Sequence, residues 1–126
     1  MADIKVKYSE DGKILIREIR GKVSFSEVYD SWLDLLDKEA FKPPLKGMIN
    51  DFRGADLEVN VTDTRSIISL LLENNHIFND VKVAVIVDSY KNIVFPMIVE
   101  KIAKEANVKP FSTFEAAKDW ILGIID

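Results

Sequence analysis

Five residues of this chain have the types and placement to meet a ligand: Asp51, Arg53, Asp88, Ser89 and Tyr90. Arginine presents a planar fork of N–H donors that matches carboxylates and phosphates. The hydroxyls of Ser89 and Tyr90 would orient such a group. Asp51 and Asp88 could exchange protons in principle, but no motif pairs them. The chain holds no glycine-rich phosphate loop, no nucleophile elbow and no metal-ligand spacing. It has no cysteine, which rules out thiol chemistry, and a single histidine, His76, which rules out a multi-histidine metal site. The expectation is a non-enzymatic protein with no cofactor.

Elements must bring those five residues together. The clearest is the run Val81-Lys82-Val83-Ala84-Val85-Ile86-Val87, which is almost wholly apolar and ends at Asp88. A strand covered on both faces reads as a continuous apolar run rather than an alternation. This run predicts an inner strand of a parallel sheet. Upstream, Ile4-Lys5-Val6-Lys7-Tyr8 alternates strictly and ends in a turn with Asp11-Gly12. With the return strand over residues 13–19 it predicts an antiparallel hairpin whose lysines suit an edge. A third strand is expected over residues 47–52, followed by a long polar loop over residues 53–61. A short last strand, Val108-Lys109-Pro110-Phe111, carries a proline that fits an edge position.

Helical patterns fill the intervals. Ser24 and Glu27 form a capping box, and Phe25, Val28, Tyr29, Trp32, Leu33 and Leu36 fall at helical spacing. Thr62 or Asp63 is expected to cap a second helix that ends at Asn74-Asn75, with His76 as a surface histidine beyond it. A third helix would turn Ile93, Val94, Met97, Ile98 and Ile102 inward, with Pro96 near its start. Ser112 and Glu115 read as a second capping box, for a helix with Phe114, Ala117, Trp120, Ile121 and Ile124 on its apolar face. Two strands, a helix and three strand–helix repeats predict an α/β domain with a five-stranded mixed sheet.

At 126 residues the chain suits one domain spanning 1–126. The net charge of −4 disfavours nucleic acid as a partner. No apolar run approaches the ~20 residues of a transmembrane helix, and no secretory signal is evident, so a cytoplasmic location is expected.

The segments 81–88 and 108–121 resemble the SpoIIAA-like family. The most specific part is Val108-Lys109-Pro110-Phe111-Ser112-Thr113-Phe114-Glu115-Ala116-Ala117-Lys118-Asp119-Trp120-Ile121. The resemblance implies a small bacterial protein with the STAS fold, a fold also linked to CRAL-TRIO lipid-binding proteins. It implies a regulatory or binding module. Antagonists of anti-sigma factors in that family carry a phosphorylated serine in an Asp-Ser-Ser-Gly-like turn after the third strand. Here the corresponding region runs from Asn50-Asp51-Phe52-Arg53-Gly54 to Thr62-Asp63-Thr64-Arg65-Ser66, with no such turn.

Two functions follow. The first is a module that engages a protein partner or a small anion at the carboxyl end of the sheet, where ligands of open α/β sheets sit. The second, implied by the CRAL-TRIO link, is a carrier of an apolar or lipid-like ligand in an internal cavity. A homodimer is among the assemblies open to either.

Overall fold

A computed structural model of the chain describes residues 3–57, 61–88 and 107–125. Among these residues the elements are β1 (Asp3–Tyr8), β2 (Ile14–Val23), α1 (Phe25–Asp37), β3 (Gly47–Asp51), β4 (Ala55–Leu57), α2 (Val61–Glu73), α3 (Asn75–Phe78), β5 (Lys82–Ile86), β6 (Val108–Phe111) and α4 (Phe114–Ile121). The sheet runs β1-β2-β3-β5-β6, with β4 paired to the far end of β2. β1 and β2 are antiparallel, and the other pairings are parallel. The sheet thus has six strands and not five. The extra strand, β4, lies inside the expected polar loop. Its alternating Ala55-Asp56-Leu57 is too short to register as a strand until β2 supplies a partner for it at Gly21–Val23.

The run at 81–87 behaves as an inner strand should. β5 lies between β3 and β6. Val83, Val85 and Val87 join the larger core, with residues of α1, α2 and α3. Ala84 and Ile86 join the smaller core, with Ala117, Trp120 and Ile121 of α4. Successive strand residues point to opposite faces, so a strand between two helical layers has no water-facing position in its middle, and a polar side chain there must find its partners inside the protein.

α1 is closed at its start by the expected capping box. The Ser24 hydroxyl accepts from the Glu27 N–H at 3.2 Å, and Glu27 Oε1 accepts from the Ser24 N–H at 3.0 Å. Its buried line is Val28, Trp32 and Leu35, while Leu33 is 43% exposed. At 100° per residue Leu33 lies a quarter-turn from Trp32, off the contact line that Leu35 joins. α2 begins at Val61, ahead of the expected Thr62 or Asp63 cap. α4 is capped by Thr113, not Ser112: the Thr113 hydroxyl accepts from the Ala116 N–H at 3.1 Å. Ile124 lies past the end of α4 and is exposed. His76 sits exposed in the single turn of α3. The predicted helix with Ile93, Val94, Met97, Ile98 and Ile102 lies outside the described residues.

Close packing sets the distance between α4 and the sheet. A Cβ at Gly47 would lie 2.5 Å from Ile121 Cγ2, so only glycine admits the helix at this height. Trp120 packs on Phe111 with ring centroids 5.5 Å apart, and the Lys82 ammonium sits 5.2 Å over its ring. The same ammonium donates to the Trp120 carbonyl at 2.7 Å, which ties β5 to the end of α4. On the other face Trp32, Phe41 and Phe78 form a ring cluster with centroids 5.3 to 5.8 Å apart.

Candidate functional site

Polar chemistry gathers at the end of β3, on both faces of the sheet. Asn50 and Asp51 are adjacent, so they point to opposite layers. Both are buried.

Asp51 anchors two arginines. Its Oδ1 accepts from the Arg53 backbone N–H at 3.1 Å and from Arg53 Nε at 2.9 Å. Its Oδ2 accepts from Arg53 Nη2 at 2.9 Å and from Arg20 Nη2 at 3.0 Å. Arg20 Nη1 donates to the carbonyls of Ile19, at 2.9 Å, and of Asp51, at 3.0 Å. The carboxylate side chain is 5% exposed, while those of Arg20 and Arg53 are 38% and 42% exposed. A buried anion therefore holds two cations that reach water.

The backbone explains why these groups meet. The Ala55 N–H donates to the Phe52 carbonyl at 3.0 Å, closing a turn between β3 and β4. Gly54 takes φ +81° in that turn, and its carbonyl accepts from the Gly21 N–H at 3.0 Å. A Cβ at Gly54 would lie 3.3 Å from Arg20 Cδ. The turn thus folds Arg53 back onto Asp51, and β2 delivers Arg20 from the other side.

Burial alone would push the Asp51 carboxyl up. The Arg53 guanidinium, the Arg53 N–H and Arg20 outweigh it and hold the group below its ordinary value. The hydrogen bonds to Asp51 hold the Arg53 guanidinium above its own, with Asp88 adding to the effect. Glu18, the neighbour of Asp51 across β2–β3, is held low by Lys7 at 3.0 Å and then by Arg20. An ionised Asp51 whose two oxygens accept four N–H bonds is poorly placed to move protons. It is well placed to fix guanidiniums in a set orientation.

On the opposite face, Arg17 is buried under α1. Its Nε donates to Asn50 Oδ1 at 2.9 Å and its Nη1 to the Val28 carbonyl at 3.2 Å. Its guanidinium lies 5.1 Å from the Trp32 ring centroid. Asn50 Nδ2 donates to the Ala84 carbonyl at 3.2 Å. Desolvation lowers the Arg17 pKa to about 9.

Of the five residues expected to form a site, Asp51 and Arg53 meet directly. Asp88 follows β5, is exposed, and reaches Arg53 through its charge. Ser89 and Tyr90 lie outside the described residues. Arg20, Arg17 and Asn50 were not among the five. A signal for them was present: Arg17 shares strand parity with Leu15 and Ile19, and Asn50-Asp51 ends an otherwise apolar strand.

Among the described residues, two concavities flank the sheet. One, of about 470 Å³, lies at the carboxyl end among Lys22, Ser24, Glu27, Asp56 and Asp63. The other, of about 590 Å³, is an open groove at the amino end, with Leu36, Phe41, Pro43, Ile77 and Val81 beside charged Lys42 and Asp80. The larger of these two lies at the end opposite the arginines. Its mixed lining and open form do not favour a carrier with an enclosed apolar cavity. Among the described residues no helix is long and apolar enough to cross a membrane, and no cluster of metal-binding side chains occurs.

No protein-family model matches the chain, and no curated protein does. Among solved structures the chain is similar to an uncharacterized protein of the DUF3478 family from Shewanella loihica PV-4, described as having a SpoIIAA-like fold. That likeness has a TM-score of 0.63 at 20% sequence identity and covers 95% of this chain and 93% of the other. At that identity it establishes the fold, and the fold is SpoIIAA-like.

Proposed function

We propose that this protein is a non-enzymatic binding module of the SpoIIAA-like type, which engages an anionic group at the carboxyl end of its sheet. The group belongs to a protein partner or to a small ligand. The observation that carries the reading is the Arg20–Asp51–Arg53 cluster. Its carboxylate is buried and its two guanidiniums are part-exposed. Arg53 Nη1 is not used in binding Asp51, which leaves donors for a carboxylate or phosphate. Holding the forks in place before binding lowers the ordering cost of recognition.

The test is a titration of isotope-labelled protein with inorganic phosphate, with a phosphoserine peptide and with a glutamate-rich peptide, followed by amide shifts. Shifts should centre on residues 51–55 and on Asp88. Arg53→Lys should weaken the response at least several-fold while retaining the charge, because lysine lacks the bidentate fork. Shifts confined to Gly12, Leu45, Lys46 and Asn79 at the amino end would reject the reading.

A further inference from the structure

The two edges of the sheet are built differently. β6 is four residues long and carries Pro110, which blunts it. β1 is six residues long, with no proline and an exposed surface. Its backbone phase follows from the hairpin. The Ser9 N–H donates to the Ile14 carbonyl at 2.8 Å, so Ser9 and Ile14 form a hydrogen-bonded pair. Antiparallel pairs alternate between bonded and non-bonded. With Tyr8 opposite Leu15 and Val6 opposite Arg17, the N–H and C=O groups of Ile4, Val6 and Tyr8 point away from β2. Among the described residues no strand takes them up.

The side chains of this edge are also sorted. Ile4, Val6 and Tyr8 lie on the α1 face, where Val6 is 45% and Tyr8 52% exposed. Lys5 and Lys7 lie on the other face, both well exposed. Their contacts to Asp3, at 3.7 Å, and to Glu18, at 3.0 Å, are surface pairs that compete weakly with a new partner. A second copy of β1 is a poor occupant. The antiparallel register that uses all three outward residues pairs Val6 with itself and sets Lys5 against Lys7 twice. Like charges directly opposite destabilise a strand pair. An acidic strand reverses that sign.

We infer that β1 is a docking edge for an extended segment of a partner protein, added as an antiparallel strand. The segment has apolar residues opposite Ile4, Val6 and Tyr8 and acidic residues opposite Lys5 and Lys7. Main-chain bonds to the edge supply the attachment, and the alternation apolar–acid–apolar–acid–apolar supplies the choice of partner. This surface is separate from the arginine cluster, and its test is independent of it.

The probe is an acetylated, amidated peptide of alternating valine and glutamate, with a valine–lysine peptide as control. Amide hydrogen exchange on the full chain is the readout. With the acidic peptide at saturation, exchange at Ile4, Val6 and Tyr8 should slow about tenfold, with the control inert. Val6→Pro removes an outward N–H and leaves the β1–β2 bonds in place, so it should abolish the protection with the fold intact. The double variant Lys5→Glu/Lys7→Glu should reverse the preference between the two peptides. Equal protection by both peptides, protection elsewhere, or binding that survives Val6→Pro overturns the inference.

Discussion

Arg17 and Asn50 stand directly opposite each other in the β2–β3 pair and share a 2.9 Å hydrogen bond in a fully buried setting. No carboxylate among the described residues pairs with Arg17. Its acceptors are an amide oxygen and the Val28 carbonyl, with the Trp32 ring nearby. Desolvation of a buried cation is costly, and removing one partner leaves the other exposed to the full penalty. Asn50→Leu should therefore destabilise the protein by about 2–4 kcal/mol. The double variant Arg17→Met/Asn50→Leu should regain most of that loss, since it replaces both groups by apolar ones. Urea unfolding of the two single variants and the double checks this. A double variant as unstable as the sum of the singles would reject it.

Acid should act through Asp51. Its carboxyl is held below its ordinary value in the folded state by Arg53 and Arg20, against the effect of burial. The resulting stability is present above the unfolded pKa and is lost as pH falls through the folded one. Thermal midpoints measured from neutral pH down to about pH 2 should fall less steeply for Asp51→Asn than for the unmodified protein. Arg17 acts with the other sign. Its folded pKa, lowered to about 9, means that its cost is full at neutral pH and diminishes as pH rises through that value.

The end of α1 carries a strained residue. Glu39 adopts φ +54°, and the bonds Glu39 N–H to the Leu36 carbonyl, at 3.1 Å, and Ala40 N–H to the Leu35 carbonyl, at 3.0 Å, are those of a Schellman cap. Glycine normally fills this position, because a side chain costs roughly 1 kcal/mol there. Glu39→Gly should raise stability by about 0.5–1 kcal/mol, read as a higher unfolding midpoint. A midpoint that drops would show that the Glu39 side chain has a contact of its own.

Trp120 is a core residue with one polar handle. Trp120→Ala removes its packing on Phe111 and the Lys82 contact, and should cost on the order of 3–5 kcal/mol. A chemical unfolding midpoint that scarcely moves would place Trp120 in a binding surface instead. Arg53→Ala should also cost stability, on the order of 1–3 kcal/mol, because it strips the bidentate partner from buried Asp51. A loop side chain without such a partner would be near neutral.

Much of this architecture is written locally. The apolar run 81–87 specifies a doubly covered strand, because a polar residue in its middle would have no water to face. The alternation at 4–8 specifies a hairpin edge, and Ser24 with Glu27 specifies where α1 starts. Each is a property of a few consecutive residues, so a linear reading finds it. Other features exist only once distant segments meet. β4 is three residues that become a strand when β2 pairs with them. Ser112, with Glu115 three residues on, is the better cap on paper, yet the path from β6 into α4 selects Thr113. Arg53 and Asp51 are two residues apart and were legible as candidates. Arg20 lies 31 positions from Asp51, and no local rule joins them. Side-chain parity along β2 puts Arg20 on the Asp51 face and Arg17 on the Asn50 face. Register, which depends on the whole sheet, decides which carboxylate or amide each guanidinium finds.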